Sequence, residues 1–469
     1  MQFVHHSRRE RNAAKTVTDQ ATFADRGFHS HYERQTQRQA CPACERPSAD
    51  AEVEVTALPE PVQRLIVANL GAFVPRLCSR CAEIFERAER QFRAHTVVEE
   101  QNGLILPTYL RLDADQRFAG RGVVIAFLDS GFYAHPDLTT PRNRIIAYHS
   151  IVRDDASSLG TPDVASWHGM MTSVVACGNG ALSQGLYRGL APEAELVLVK
   201  ISDAGRIPER NIRRGLEWVI ANRDRYGIRV VNISAGGDRE ASYLHNALSK
   251  TVERAVRAGL VVVCAVGNAG MQPNHPVYPP ASAPSCIAVG GLDDQNSTDR
   301  ARRGMYRSSY GPTIDGLQKP EVIAPGIWVA APILPHTPTA AEAELYATLD
   351  QASDEELRAI IERNAEVDKE LFEARTLPAY LLRQLITIKL REGNVINEHY
   401  KYVDGTSFAA PIVSSLVACM LEANPALTPQ QVKRILIDTA ERVPTVEVDR
   451  QGWGVIVPRR AVEMALALR

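Results

Sequence analysis

The sequence predicts an α/β protein built on a doubly wound, mostly parallel sheet. Three observations carry this. From about residue 106, short β-branched runs alternate with helical segments; the runs are apolar at nearly every position; and the helical segments between them are amphipathic. A strand without a polar face is buried on both sides, and helices that cover both sides of a sheet connect parallel strands.

Taken in order, residues 1–40 are polar, mildly basic and low in branched apolar residues, and read as a mobile arm. Residues 41–105 hold two C-x-x-C pairs, Cys41 and Cys44 in "CPAC", Cys78 and Cys81 in "CSRC". Between the pairs Val62, Leu65, Ile66, Leu70 and Phe73 suit one helix face, and Ile84, Phe85, Ala88 and Phe92 continue at helical spacing. Four thiolates are the ligand set of a closed tetrahedral zinc site, here with a longer central gap than in compact zinc ribbons. Two disulfides or redox pairs are the alternative, and in a cytoplasmic chain one structural Zn²⁺ on Cys41, Cys44, Cys78 and Cys81 is the expectation. Cys177, Cys264, Cys286 and Cys419 lie in apolar runs and read as core thiols.

The sheet region, 106–336, opens with the strand "GVVIAFLDSG", followed by the helix "HGMMTSVVACG" and the strand "AELVLVKIS". An amphipathic helix, "IPERNIRRGLEWVIANRDRYG", leads to the strand "IRVVNISAGG"; a second, "SYLHNALSKTVERAVRAG", leads to "LVVVCAVGNAG" and then "SCIAVGGLD". "DDQNSTD" at 293–299 is oxygen-rich but reads as a solvated turn, which leaves calcium undecided. Residues 337–399 are rich in Ala, Glu, Leu and Arg, carry no strand signal and include a capping-box pattern, "SDEE". They read as a helical insertion, after which 400–469 return to the main domain.

A length of 469 residues exceeds one ordinary core, so a large domain with smaller additions is expected. A net charge of -2 argues against electrostatic capture of nucleic acid as the main role. The basic N-terminus lacks the apolar run of a secretory signal, and no uninterrupted apolar stretch approaches the ~18–20 residues of a membrane span. The expectation is a soluble, cytoplasmic protein without nucleic-acid or membrane partners.

In such a sheet, functional residues gather where strands end. Asp129 follows one apolar strand, Asn268 another; His168 and Ser407 open helices, the latter in "VDGTSFAAPIVSS". Each has an ordinary explanation as turn, cap or core residue. Together they supply what a weak nucleophile needs, a hydroxyl, a base and a carboxylate to orient it.

On these residues the chain resembles the subtilisin-like serine proteases, the subtilase family: "FLDSGFYAHPDL", "HGMMTSVVACG", "AVGNAG" and "DGTSFAAP" match that family's blocks in its chain order. The resemblance covers roughly 106–336 and 400–469, and neither the cysteine module nor the insertion. It implies that Ser407 is the nucleophile, His168 the general acid and base, and Asp129 the carboxylate that orients the imidazole. It implies further that the Asn268 amide and the Ser407 N–H bind the oxyanion, that Ser234, Ala235 and Gly236 pair with an extended substrate, and that Gly267 helps shape the specificity pocket. Gly405 would free the backbone at the nucleophile, and Pro411 would fall near the first helical turn. Met170 stands where the family usually has Thr, and no inhibitory prodomain is recognisable.

The expected function is an intracellular serine endopeptidase with a narrow range of protein or peptide substrates, the insertion or the cysteine module receiving a regulatory partner. The alternatives are a catalytically silent scaffold, against which the complete residue set argues, and an acyl-transfer ligase or cyclase, which the sequence does not separate from hydrolysis.

Overall fold

Strands with no polar face settle in the middle of a molecule, and the main sheet does so here. The structure is a computed structural model that describes residue 41, residues 52–59, 62–63, 66–67, 74–79, 81–83, 85–86, 105–152, 159–163 and 165–469. The expected mobile arm, Cys44, and the helix-face residues Leu65, Leu70, Phe73, Ile84, Ala88 and Phe92 lie outside the described residues.

A short antiparallel pair, β1 (Glu52–Glu54) and β2 (Arg76–Cys78), sets Glu52 opposite Cys78, with Val62, Ile66 and Phe85 buried. The main sheet comprises β3 (Val124–Asp129), β4 (Ile145–Ser150), β5 (Glu195–Lys200), β6 (Ile228–Ile233), β7 (Val261–Ala265), β8 (Ile287–Asp293), β9 (Gly304–Met305) and β10 (Val322–Pro325). The order is β10-β8-β7-β6-β3-β5-β4, parallel throughout, with β9 antiparallel to β8. The chain winds to one side of β3 through β4 and β5, then crosses to the other through β6. The carboxyl end of β3 is therefore at the switch point, where such sheets open a crevice, and Asp129 is its last residue.

Successive residues of β3 feed two different cores: Ile125 and Phe127 one, Val124, Ala126 and Leu128 the other. This is the doubly wound arrangement expected. On the second face lie α2 (Glu209–Tyr226) and α3 (Ala247–Arg257), through Ile212, Leu216, Leu248 and Val252; on the first lies α1 (Ser166–Cys177), through Met170 and Val174. α2 stops at Gly227, which takes the left-handed conformation at φ 65°, and α3 starts on Asn246, whose side chain accepts from Ser249 N at 2.8 Å.

After β10 the chain forms β11 (Val329–Pro332), then α4 (Pro338–Gln351), α5 (Leu357–Arg363), α6 (Lys369–Ala374) and α7 (Ala379–Glu392), and returns as β12 (Tyr400–Val403). β12 pairs antiparallel with β11, Pro332 opposite Tyr400, so the four helices leave and re-enter through one hairpin. They enclose a small core of their own, including Leu349, Leu357, Ile361 and Leu371. At the foot, Tyr400 is fully buried, donates its hydroxyl to Asp137 Oδ2 at 2.6 Å and tilts against Tyr187. The chain ends with α8 (Thr406–Ala423), α9 (Pro429–Thr439) and α10 (Pro458–Ala467).

One sequence reading is refined and one changes. α8 is by length and composition a helix that could cross a membrane, with a mean hydropathy of 1.5, because its Ser, Thr and Pro break the apolar run without lowering the average much. In this fold 89% of it is buried, packed on β6, β7, β8 and α1. The "DDQNSTD" segment is not a solvated turn: Asp294 is 2% exposed and takes a bidentate bond from Arg111, Nε–Oδ2 and Nη2–Oδ1 both at 2.8 Å. Asn296 Oδ1 accepts from Leu106 N at 2.8 Å. The loop is where the 105–111 segment docks, a partnership that no local pattern reveals. The same Arg111 donates to the carbonyls of Ile327 and Trp328.

Candidate active site

Asp129 ends β3 without exposure to solvent, and its carboxylate is held on both sides. Oδ1 accepts from Ser130 N at 2.7 Å and faces His168 Nδ1 at 2.7 Å; Oδ2 accepts from Thr172 Oγ1 at 3.0 Å. Thr172 follows His168 by one helical turn on α1, so both side chains meet the same carboxylate. α1 can approach β3 this closely because residue 169 is Gly. A β-carbon there would lie 2.1 Å from the Gly131 carbonyl oxygen and 2.9 Å from Asp129 Cβ.

The His168 ring is mostly buried, edge-on to Trp167 and 5.8 Å from the Phe408 ring. Burial pulls its pKa down, but the charge of Asp129 and the hydrogen bond to it together outweigh burial and raise it above 6.5. A carboxylate acceptor assigns the neutral ring's proton to Nδ1 and leaves Nε2 as the basic nitrogen.

Ser407 is the second residue of α8, so it lies in the first turn and not at the cap, which is Gly405 at φ 137°. Gly405 N donates to Gly326 O at 2.7 Å, tying this loop to the end of β10. Ser407 Oγ donates toward the Ser234 carbonyl at 3.5 Å, and among the described residues no direct bond joins it to His168. Pro411 is not in the first turn; it lies inside α8 as its sixth residue.

Asn268 lies just after β7 and faces the start of α8. Its Oδ1 accepts from both the N–H and the hydroxyl of Thr406, each at 3.0 Å. That fixes the carboxamide with Nδ2 turned away from Thr406. Gly267, at φ 107°, donates to Thr406 Oγ1 at 3.2 Å, and Ser309 Oγ accepts from Ala269 N at 3.1 Å. Thr406, Thr172 and Ser309 are site residues that sequence reasoning missed. The spacing of Thr172 from His168 carried a usable signal; Ser309 carried none.

Ser234, Ala235 and Gly236 line a cleft of about 880 Å³ together with Trp167, His168 and Lys200. Ser234, Ala235 and Gly236 directly follow β6, so the carboxyl end of that strand borders the cleft. Met170 is buried in the core beneath His168 and adds no polar group to the site.

Apart from this cleft, Cys41, Cys78 and Cys81 are buried with their sulfurs within 4.8 Å of one another. Cys78 N donates to Cys41 Sγ at 3.4 Å, a donor suited to a thiolate. Cys44 is outside the described residues. The donor set fits a thiolate-binding metal such as zinc. Cys177, Cys264, Cys286 and Cys419 are all buried, and burial raises the Cys177 thiol pKa to about 12.

Comparison with known proteins bears on the whole arrangement. The family described as the Subtilase family matches residues 120–454. The serine protease AprX of Bacillus subtilis (strain 168) is 30% identical over 355 residues, 74% of this chain and 67% of AprX. Subtilisin BL of Lederbergia lenta is 32% identical over 213 residues, 44% of this chain and 65% of that protein. Among solved structures, fervidolysin from Fervidobacterium pennivorans, a keratinolytic enzyme related to subtilisin, matches with a TM-score of 0.51 and 19% identity, over 76% of this chain and 45% of fervidolysin. That last likeness speaks to fold alone.

Proposed function

The chain belongs to the subtilase family of serine endopeptidases, and from that premise we propose that Asp129, His168 and Ser407 form the triad that hydrolyses peptide bonds in its protein substrates. The observation that carries this reading is the 2.7 Å bond between Asp129 and His168 Nδ1, with Thr172 and Ser130 holding the carboxylate.

In this reading an extended substrate lies along Ser234–Gly236. The Ser407 hydroxyl turns about its Cα–Cβ bond from the Ser234 carbonyl to His168 Nε2, which takes the proton as Oγ attacks the scissile carbonyl. Asp129 fixes the ring and stabilises the imidazolium. Asn268 Nδ2 and the Ser407 N–H receive the negative charge on the former carbonyl oxygen, at the start of a helix whose end favours anions. His168 then protonates the leaving amine, and water repeats the sequence on the acyl-enzyme.

The test is intact mass after exposure to a fluorophosphonate, wild type against Ser407→Ala. Labelling of the wild type alone supports the reading; equal masses with and without the probe in the wild type overturn it.

The reading extends to the parts outside the family match. Cys41, Cys44, Cys78 and Cys81 would hold one structural Zn²⁺, supported by the three clustered sulfurs; less than about half an equivalent of zinc per purified chain counts against it. The enzyme would act in the cytoplasm on few protein substrates, with α4–α7 or the cysteine module controlling access by binding a partner. Deleting residues 340–396 without changing cleavage of large or small substrates would sink that part.

A further inference from the structure

A proline inside a helix removes the bond its N–H would make four residues back. In α8 that residue is Pro411, and the carbonyl left without its α-helical donor belongs to Ser407. The acceptor is filled from outside the helix: Ser234 Oγ, just beyond the end of β6, donates to Ser407 O at 2.9 Å.

This one fixed acceptor sets the polarity of everything behind it. A carbonyl only accepts, so the Ser234 hydroxyl hydrogen points to α8 and its oxygen accepts in turn. Asn232 Nδ2 supplies that donor at 3.0 Å, which turns Asn232 Oδ1 to Ser414 Oγ, 2.9 Å away and one turn beyond Pro411 on the same helix. Asn232 and Ser414 are fully buried, so their side chains depend on these protein partners, and Ser234 is 5% exposed at the edge of the cleft.

We propose that Ser234 is a positioning residue for the nucleophile: its hydroxyl, aligned by Asn232 and Ser414, replaces the helix bond that Pro411 removes and holds the first turn of α8 in place. The proposal rests on the reading of Ser407 as nucleophile, and gives the Ser234 side chain a task separate from that of its backbone along the substrate. A carbonyl released in that turn would let the helix start tilt. Ser407 Oγ and the Ser407 N–H share one α-carbon, so the tilt would move both away from His168 and Asn268, and misplacement by about 1 Å can cost on the order of a hundredfold in rate.

The experiment is a double-mutant cycle on the full chain, read by the rate constant of fluorophosphonate labelling and by the thermal midpoint. Ser234→Ala is expected to slow labelling by about tenfold or more, and Ser234→Thr, which keeps the hydroxyl, to label faster than Ser234→Ala. In the Pro411→Ala background residue 411 regains an N–H, and Ser234→Ala should then cost less than about threefold. An equal loss in both backgrounds, or wild-type labelling of Ser234→Ala, overturns the proposal. Should Ser234→Ala not fold, recovery of the fold by Pro411→Ala supports the proposal, and no recovery overturns it. Absence of labelling in the wild type refutes the protease reading by itself. The cycle in thermal midpoint then decides the hydrogen bond alone: non-additive midpoints support it, additive midpoints overturn it.

Discussion

His168 shows at the scale of one residue how burial and pairing oppose each other. Only the neutral ring is a base, so cleavage should rise with pH through a midpoint above 6.5, and Asp129→Asn should lower both that midpoint and the rate, the latter by on the order of 10³–10⁴-fold. A pH–rate profile of the two proteins checks this. The linkage has a definite sign. A raised folded-state pKa contributes stability that is fully present below the unfolded value and is lost as pH rises through the folded one. Thr406 acts one step removed from the chemistry. Its hydroxyl and N–H both anchor Asn268 Oδ1, and Thr406→Val removes the hydroxyl alone. If Asn268 is the oxyanion donor proposed above, the expected result is a fall of about tenfold in kcat with little change in KM, since that donor would be misaimed only in the transition state. An unchanged kcat would show that the N–H alone holds the amide.

At the scale of elements, two contacts decide how the pieces around the crevice meet. Gly169→Ala would drive a methyl against the Gly131 carbonyl where α1 crosses the end of β3. Because that contact is backbone on both sides, the expected cost is about 1–3 kcal/mol in denaturant unfolding, with loss of labelling as His168 leaves Asp129. The second is the short helix Pro136–Thr139. His135 caps it through Nδ1, accepting from Asp137 N at 3.2 Å, while Asp137 receives Tyr400 from the foot of the hairpin. Burial lowers the His135 pKa to about 4, against the pull of Asp137 in the opposite direction and with the push of His399 in the same one. Here the sign is reversed from His168. The unfolded chain binds a proton near 6.5 and the folded one does not until about 4, so stability is lost as pH falls across that window, by on the order of 3 kcal/mol at most. His135→Asn keeps a capping acceptor and removes the titration, so its unfolding free energy should be flatter between pH 6.5 and 4; an equally steep profile would assign the effect to other groups.

For the whole molecule, Arg111 and Asp294 join segments 183 residues apart in sequence with almost no exposure to solvent. Removing one partner leaves the other charged and buried, so Arg111→Met should cost about 3–5 kcal/mol, most of it recovered by adding Asp294→Leu. Chemical unfolding of the four proteins would measure it, and an Arg111→Met protein as stable as wild type would refute the pairing's importance. Arg111 also braces the carbonyls of Ile327 and Trp328, next to the Gly326 carbonyl that receives Gly405 N. The 105–111 segment is thereby linked to the loop before Ser407. This kind of order was not legible in the sequence. The sheet was, because an apolar strand advertises burial on both faces; so was the family, because short blocks around Asp129, His168, Asn268 and Ser407 carry its pattern. The partner of Asp294, the donor for the Ser407 carbonyl and the role of Ser309 all depend on residues brought together by folding, and nothing local encodes them. The β11/β12 hairpin has a last consequence. Its strands are already zipped where α4–α7 depart, with Pro332 facing Tyr400, so the segment between them works as an exchangeable cartridge. A different sequence could be spliced into that socket without disturbing the strand register, so the length and composition of the insertion can vary while the hairpin and the sheet beneath it stay constant.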